Sequence, residues 1–155
     1  HSFPTRRSSD LAKGGFAINI EQELSNNMGL FARLSWNDGK NETWAFTEID
    51  QSLNFGAQLN GSIWKRTSDK LGISFLINGL SDEHRKYLAA GGYGFIIGDG
   101  RLNYGTEQII ELYYSAKILS SFWLSPDYQL IVNPAYNRDR GPVVHIIGLR
   151  GHIEF

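Results

Sequence analysis

Hydrophobic and polar residues alternate along most of the chain from residue 15 onward. In the stretch 51–60, for example, Leu53 and Phe55 alternate with Ser52 and Asn54. Alternation with a period of two predicts β-strands whose two faces meet different surroundings. Seven such strands are predicted, at about residues 16–24, 28–37, 47–60, 71–78, 109–118, 122–133 and 143–155.

The predicted strands are long, and they carry a polar second face. Strands of globular proteins usually have about five or six residues, whereas a strand that crosses a bilayer needs about 9–11 residues at a tilt of about 45°. The pattern therefore predicts an all-β fold, an antiparallel transmembrane β-barrel. Apolar side chains such as Leu53, Phe55, Leu112 and Leu130 are expected to face lipid. The polar set is expected to face the lumen, and it consists of Glu21, Glu23, Arg33, Asn37, Glu48, Asp50, Asn54, Gln58, Glu111, Lys117, Asp127, Gln129 and Arg150.

The connections alternate between short and long. Residues 25–27 and 119–121 are predicted as tight turns, and residues 37–45, 79–104 and 133–142 as long loops at the opposite end of the strands. Short turns at one rim and long loops at the other are typical of outer-membrane barrels. The nine-residue connection Gly61–Asp69 is the exception on the short side.

One helix is predicted inside the longest loop. Ser81 has the chemistry of an N-cap, Glu83 follows in the first turn, and Gly91–Gly92 stops the helix.

Composition excludes several classes of protein. The 155 residues contain fifteen Lys and Arg against sixteen Asp and Glu, giving a net charge of -1, which disfavours a nucleic-acid binder. The absence of cysteine excludes disulfides and thiolate metal sites. Residues 1–14 are interpreted as a non-native or disordered leader, and residues 15–155 as part of the barrel.

Several longer blocks resemble a known family. They are GLFARLSWNDGK (29–40), FTEIDQSLNFG (46–56), KYLAAGGYGFIIGDGRLNYG (86–105), DYQLIVNPAYNRDRGP (127–142) and the ending IIGLRGHIEF. Over residues 15–155 the chain is similar to the C-terminal part of carbohydrate-selective porins of the OprB family. The resemblance implies a sixteen-stranded barrel in the bacterial outer membrane, about seven strands of which are present here, that passes glucose and similar small sugars by diffusion. It also implies outer-membrane lipid as surroundings, and the terminal Phe155 as a signal for the barrel assembly machinery.

The candidate sugar-contacting residues fall into two groups. Arg101, Arg138, Asp139 and Arg140 lie in predicted loops, where a guanidinium offers several fixed donors to hydroxyl groups. Along the predicted wall, Glu48 and Asp50 add carboxylates, and Trp123 adds an aromatic face, as Phe31 and Tyr113 could. The alternatives are that the Arg–Asp pairs only pin loops and that the aromatic rings only fill space.

Two other function classes compete with a porin. One is a soluble β-sheet carbohydrate-binding module, and the other is an outer-membrane enzyme barrel. Glu48 and Asp50 invite a glycosidase interpretation, but neither has the apolar surroundings that a catalytic acid needs. The histidines share no metal-ligand spacing, and Asp99 and Asn103 lack the further oxygen ligands of a calcium loop. We therefore expect no enzyme activity, no metal, no cofactor and no nucleic-acid partner.

Overall fold

A computed structural model describes residues 12–41, 48–141 and 143–155. It contains seven strands that pair in chain order as one antiparallel sheet. The strands are β1 (Gly15–Ser25), β2 (Met28–Asn37), β3 (Gln51–Asn60), β4 (Lys70–Gly79), β5 (Glu107–Leu119), β6 (Phe122–Val132) and β7 (Val143–Ile153). Each has 10 to 13 residues, so the predicted number and unusual length of the strands are confirmed.

The sheet is open, with β1 and β7 as its edges. Every neighbouring pair is antiparallel, and the register keeps residues of the same kind in rows across the sheet. Leu53 in β3, for example, pairs with Leu34 and Ile77, and Ser52 pairs with Ser35 and Asn78. The two edge strands leave backbone groups unpaired, and in a bilayer further strands would have to pair with them and close a barrel.

The third strand begins later than its alternation predicts. It starts at Gln51 rather than at residue 47, and residue 47 lies outside the described residues. Glu48 and Asp50 are each 2 % exposed and precede the strand. The expectation that these carboxylates line a wet wall is therefore wrong, because both are held beneath the neighbouring loop.

The connections follow the predicted pattern. Residues 26–27 and 120–121 are two-residue turns, and the exceptional connection folds into a short 3₁₀ helix, Gly61–Trp64. Helix α1 (Asp82–Ala89) begins after Ser81, whose side chain accepts a hydrogen bond from the His84 N–H, which confirms the predicted cap. No helix in the described part of the chain is long and apolar enough to cross a membrane.

The buried core lies at the loop end rather than on the strands. Its apolar members are Leu80, Leu88, Ile97 and Tyr136. They hold together what we call the loop layer, residues 38–41, 48–50, 80–106 and 133–141.

The apolar strand face is left uncovered. Phe55 and Leu112 are 46 % and 44 % exposed, and the described residues provide no second sheet that could cover them. The arrangement instead fits a wall whose apolar side contacts lipid.

Candidate functional site

The loop layer is fixed to the sheet through a buried carboxylate at the start of β3. Asp50 Oδ2 accepts hydrogen bonds from the Ser81 N–H at 2.9 Å and from His84 Nδ1 at 3.0 Å. Lys13 Nζ lies 3.7 Å from Asp50 Oδ1. Burial opposes ionisation of Asp50, but the hydrogen bonds from His84 and the Ser81 amide outweigh it and lower its pKa. Asp50 therefore anchors the first turn of α1.

Glu48 performs a similar role for the glycine-rich loop that follows α1. Its Oε1 accepts a hydrogen bond from the Phe95 N–H at 2.8 Å, and its backbone carbonyl accepts one from the buried Tyr136 hydroxyl at 3.0 Å. A Cβ at position 94 would overlap the Glu48 carboxylate, so Gly94 is required for this close approach. Burial raises the pKa of Tyr136, which keeps the hydroxyl a donor.

A second polar cluster joins the two longest loops. Arg140 donates to both oxygens of Asp99, at 2.8 and 2.7 Å, and Asn137 Nδ2 donates to Oδ2 at 2.9 Å. These hydrogen bonds, that from Arg140 above all, lower the pKa of Asp99 to about 2. Arg101 Nε lies 3.4 Å from Asp139 Oδ2. The structure therefore brings together predicted site residues that lie 38 positions apart along the chain.

The members of this cluster differ in the solvent-exposed fraction of their side chains. The Arg101 side chain is 78 % exposed, whereas those of Arg140 and Asp99 are about one third exposed, at 35 % and 33 %. Arg138 is exposed and lies beside Gly105. Arg140 is thus committed to a bidentate pair, and Arg101 and Arg138 keep donors that can reach a ligand.

Asn137 is the residue that sequence reasoning missed. It is 2 % exposed, its Oδ1 accepts from the Asp139 N–H at 3.0 Å and the Asn103 N–H at 3.3 Å, and its Nδ2 reaches Asp99. The Asn-x-Asp spacing at 137–139 is typical of an Asx turn, which was the only local signal for this role.

The Asp99 cluster makes the docking of the loops sensitive to acid. Asp99 has a folded pKa of about 2 against an ordinary 3.8, so its contribution is complete above about pH 4–5 and is lost as the pH falls toward 2. In the complete barrel, we expect hydrogen exchange of the backbone amides in 97–105 and 133–141 to rise over that interval, after correction for intrinsic rates. Asp99→Asn should show the loosened state already at pH 6. Equal protection in both proteins at pH 6 would contradict an anchoring role.

Trp123 lies far from this cluster, at the turn end of the sheet. Lys117 Nζ is 4.8 Å from the centre of its ring, and the His152 ring lies 5.7 Å away on the other neighbouring strand. The predicted site residues therefore occupy two regions, the loop layer and the turn end of the polar face.

Between these regions the polar face carries charges of both signs. Arg33 in β2 reaches Glu21 at 3.4 Å and Asn19 at 3.1 Å on β1. Among the described residues, no group of three or more His, Asp or Glu side chains is placed to hold a metal ion. The face offers hydrogen-bond donors and acceptors rather than a ring of one charge.

Comparison with known proteins agrees with this architecture. The family model described as carbohydrate-selective porin, OprB family, matches residues 4–155. A search of curated proteins found no match. A solved structure, described as the high pH structure of Pseudomonas putida OprB, superimposes with a TM-score of 0.72 at 21 % identity. The match covers 92 % of this chain and 36 % of that one, so this chain spans about a third of the length of that porin. With nearly its whole length matched by the family model, the chain belongs to the carbohydrate-selective porin family, OprB.

Proposed function

We propose that the complete barrel containing these strands is a pore for the passive diffusion of glucose and similar small sugars across the bacterial outer membrane. The observation that carries the proposal is the two-faced wall. Its apolar face is exposed along all seven strands, and its other face carries Arg, Lys, Glu, Asp, Asn and Gln side chains. Ion-selective pores use rings of one charge, whereas a wall of mixed charge and many hydroxyl and amide groups suits neutral, hydroxylated solutes. A pore of this kind needs no catalytic group, and we infer that the protein is not an enzyme.

The loop layer supplies the candidate constriction of the pore. Arg101 and Arg138 are exposed residues of the loop layer, and Asp139 pairs with Arg101, which supports contact of these three side chains with a passing sugar. Arg140 supports that cluster through Asp99. The burial of Glu48 and Asp50 supports an anchoring role for these two carboxylates beneath the constriction, rather than direct contact with sugar.

The constriction can be tested by the block of ion current by sugar. Arg101→Ala and Arg138→Ala, in the complete barrel, should each weaken the block by glucose or maltose several-fold, because hydrogen bonds from a charged donor to hydroxyls are lost. Single-channel recording in planar bilayers with titrated sugar gives the dissociation constant. Lys86→Ala, in the exposed last turn of α1, is the matched control that removes one positive charge from the same layer.

Two outcomes distinguish a failure of the proposed arginine contacts from a failure of the proposed pore function. Retention of wild-type block in both arginine variants would show that these side chains only shape loops. A wild-type channel that sugar does not block at all would contradict the proposed function itself.

Strand β7 and Phe155 have features that support recognition during assembly in the membrane. β7 is an edge strand with apolar outward residues, and it is followed by the exposed Phe155. We propose that the barrel assembly machinery of the outer membrane recognises this terminal strand, and that outer-membrane lipid then covers its apolar face.

A further inference from the structure

The glycine-rich loop after α1 carries an exposed group of apolar side chains. Tyr93, Phe95 and Ile96 are 65, 61 and 54 % exposed. Tyr87 of α1, which is about half exposed, adjoins them, since its hydroxyl donates to the Tyr93 carbonyl oxygen at 3.0 Å. We call these four residues the apolar tip. Large apolar side chains that are exposed together, rather than singly, mark a surface that contacts a partner.

The apolar tip is held firmly on the loop layer. The Phe95 N–H donates to the buried Glu48 carboxylate at 2.8 Å. The Gly94 N–H donates to the Ile97 carbonyl oxygen at 2.8 Å, and the Ile97 side chain is buried in the core of the loop layer. Gly98 closes the loop with a φ of +116°, a conformation that favours glycine. A surface that is already ordered loses little conformational entropy when a partner covers it.

Contacts with the strands place the loop layer on the polar side of the sheet. Glu107 begins β5 and lies on the same face as Glu111, and its Oε2 accepts a hydrogen bond from the Ala135 N–H at 2.8 Å. Its register partner Asn78 donates to Glu107 Oε1 at 3.4 Å and accepts from Ser52 Oγ at 2.8 Å. In the pore proposed above, the polar face lines the lumen. The loop layer and its apolar tip then lie inside the barrel, at its loop end.

This position restricts what can cover the apolar tip. Lipid and neighbouring barrels lie on the other side of the sheet. The side chains of Phe95 and Ile96 have no hydrogen-bonding atoms, so a hydroxylated solute would lose water there without a replacement. This chain spans about a third of the length of the matched porin, so most of the wall and loops that surround the tip belong to other strands of the same barrel. Those strands and their loops are the partner that remains.

We propose that the apolar tip packs against apolar side chains in the loops of the strands that complete the barrel, and that it braces the loop layer across the mouth of the pore. The contact is intramolecular and buries the exposed parts of Tyr93, Phe95 and Ile96. A brace of this kind holds the loop layer at a fixed distance from the opposite side, so the mouth keeps a constant width. The proposal rests on the pore architecture of the proposed function, but not on the passage of sugar.

The test replaces Phe95 of the complete barrel by the photoreactive p-benzoylphenylalanine, which bonds covalently to C–H groups that it touches. After irradiation in liposomes, mass spectrometry should find position 95 joined to a peptide of the same barrel from outside residues 1–155. The same replacement of Phe55, on the apolar face in the middle of the sheet, is the matched control and should yield no such peptide. Cross-links from position 95 only within residues 1–155, 42–47 included, only to a second copy, or to no protein would overturn the proposal.

Current noise tests the bracing itself. The double variant Phe95→Ser/Ile96→Ser removes the apolar surface, and Gly94→Ala keeps it but displaces it, because a Cβ there overlaps the Glu48 carboxylate. In single-channel recordings of the complete barrel, both should raise the open-channel current noise about twofold, since a loop layer without its brace opens locally more often.

Ile63→Ser is the matched control for this measurement, because Ile63 is a similarly exposed aliphatic residue, 58 % exposed, in the connection at the opposite end of the strands. It should leave the noise unchanged. Wild-type noise in both tip variants would overturn the brace, even in a channel that sugar still blocks. A channel that sugar does not block, but in which position 95 forms the expected cross-link, would contradict sugar diffusion and support the brace.

Discussion

Replacement of Leu112 by lysine is expected to lower the free energy of unfolding of the barrel in liposomes by about 2–4 kcal/mol, whereas lysine at Ser115 should cost much less. Both residues lie in β5, three positions apart, and therefore on opposite faces of the sheet. Leu112 belongs to the exposed apolar face, and Ser115 lies on the polar face. A charged group at position 112 would lie within hydrocarbon, and at position 115 it would lie in water.

The measurement is a urea titration of the complete barrel folding into liposomes, followed by tryptophan fluorescence. Leu112→Ala separates the loss of apolar area from the cost of the charge. Equal tolerance of lysine at positions 112 and 115 would reverse or abolish the assignment of the two faces, and with it the two-faced wall on which the proposed pore depends.

The sequence predicts the strands well because one physical demand acts on each position separately. Leu53 and Phe55 belong to the exposed apolar face and Asn54 to the opposite, polar face, so the alternation distinguishes the two faces residue by residue. Helix α1 was equally predictable, because Ser81 and the glycines at 91–92 are local sequence signals of its two ends. The late start of β3 was not predictable from the sequence. The alternation continues through Glu48 and Asp50, although tertiary contacts bury both carboxylates beside the loop layer.

The candidate site was only partly predictable, because its contacts also join residues that are distant in the sequence. Loop composition indicated Arg101, Arg138 and Arg140, but which arginine is free depends on Asp99, some forty residues away from Arg140 in the chain. Likewise, nothing near Tyr113 in the sequence shows that its ring lies over Gly72 on β4 or that its hydroxyl donates to Gln58 Oε1 on β3. Register across three strands places these residues together, and only the folded sheet supplies that register.

Removal of the Asp69 carboxylate is expected to be the most damaging single change at the turn end. Asp69 is 1 % exposed and ends the long connection that begins at Gly61. It accepts hydrogen bonds from Arg66, from the Tyr114 hydroxyl at 2.6 Å and from the Lys117 N–H at 3.0 Å. Trp64 Nε1 in turn donates to the Tyr114 hydroxyl at 3.0 Å. The nine-residue connection is thus clamped onto β5, which explains how a long turn is ordered at the short-turn rim.

In the complete barrel, Asp69→Ala leaves the amide of Lys117 and the hydroxyl of Tyr114 without their acceptor, and an unsatisfied buried donor costs about 1–3 kcal/mol. Asp69→Asn keeps one carbonyl acceptor and should lose less stability. The hydrogen bonds, led by that from Arg66, lower the pKa of Asp69 to about 2. These contacts are therefore complete above about pH 4–5 and are lost as the pH falls toward 2.

Asp82→Ala is the matched control, since that carboxylate is 75 % exposed and its pair with Arg85 lies on the surface. Urea unfolding in liposomes at pH 7 should rank the variants Asp82→Ala, Asp69→Asn and Asp69→Ala in increasing destabilisation. If Asp69→Ala is no less stable than Asp82→Ala, the carboxylate is not what orders the turn, and the packing of Trp64 against Tyr114 must do so alone.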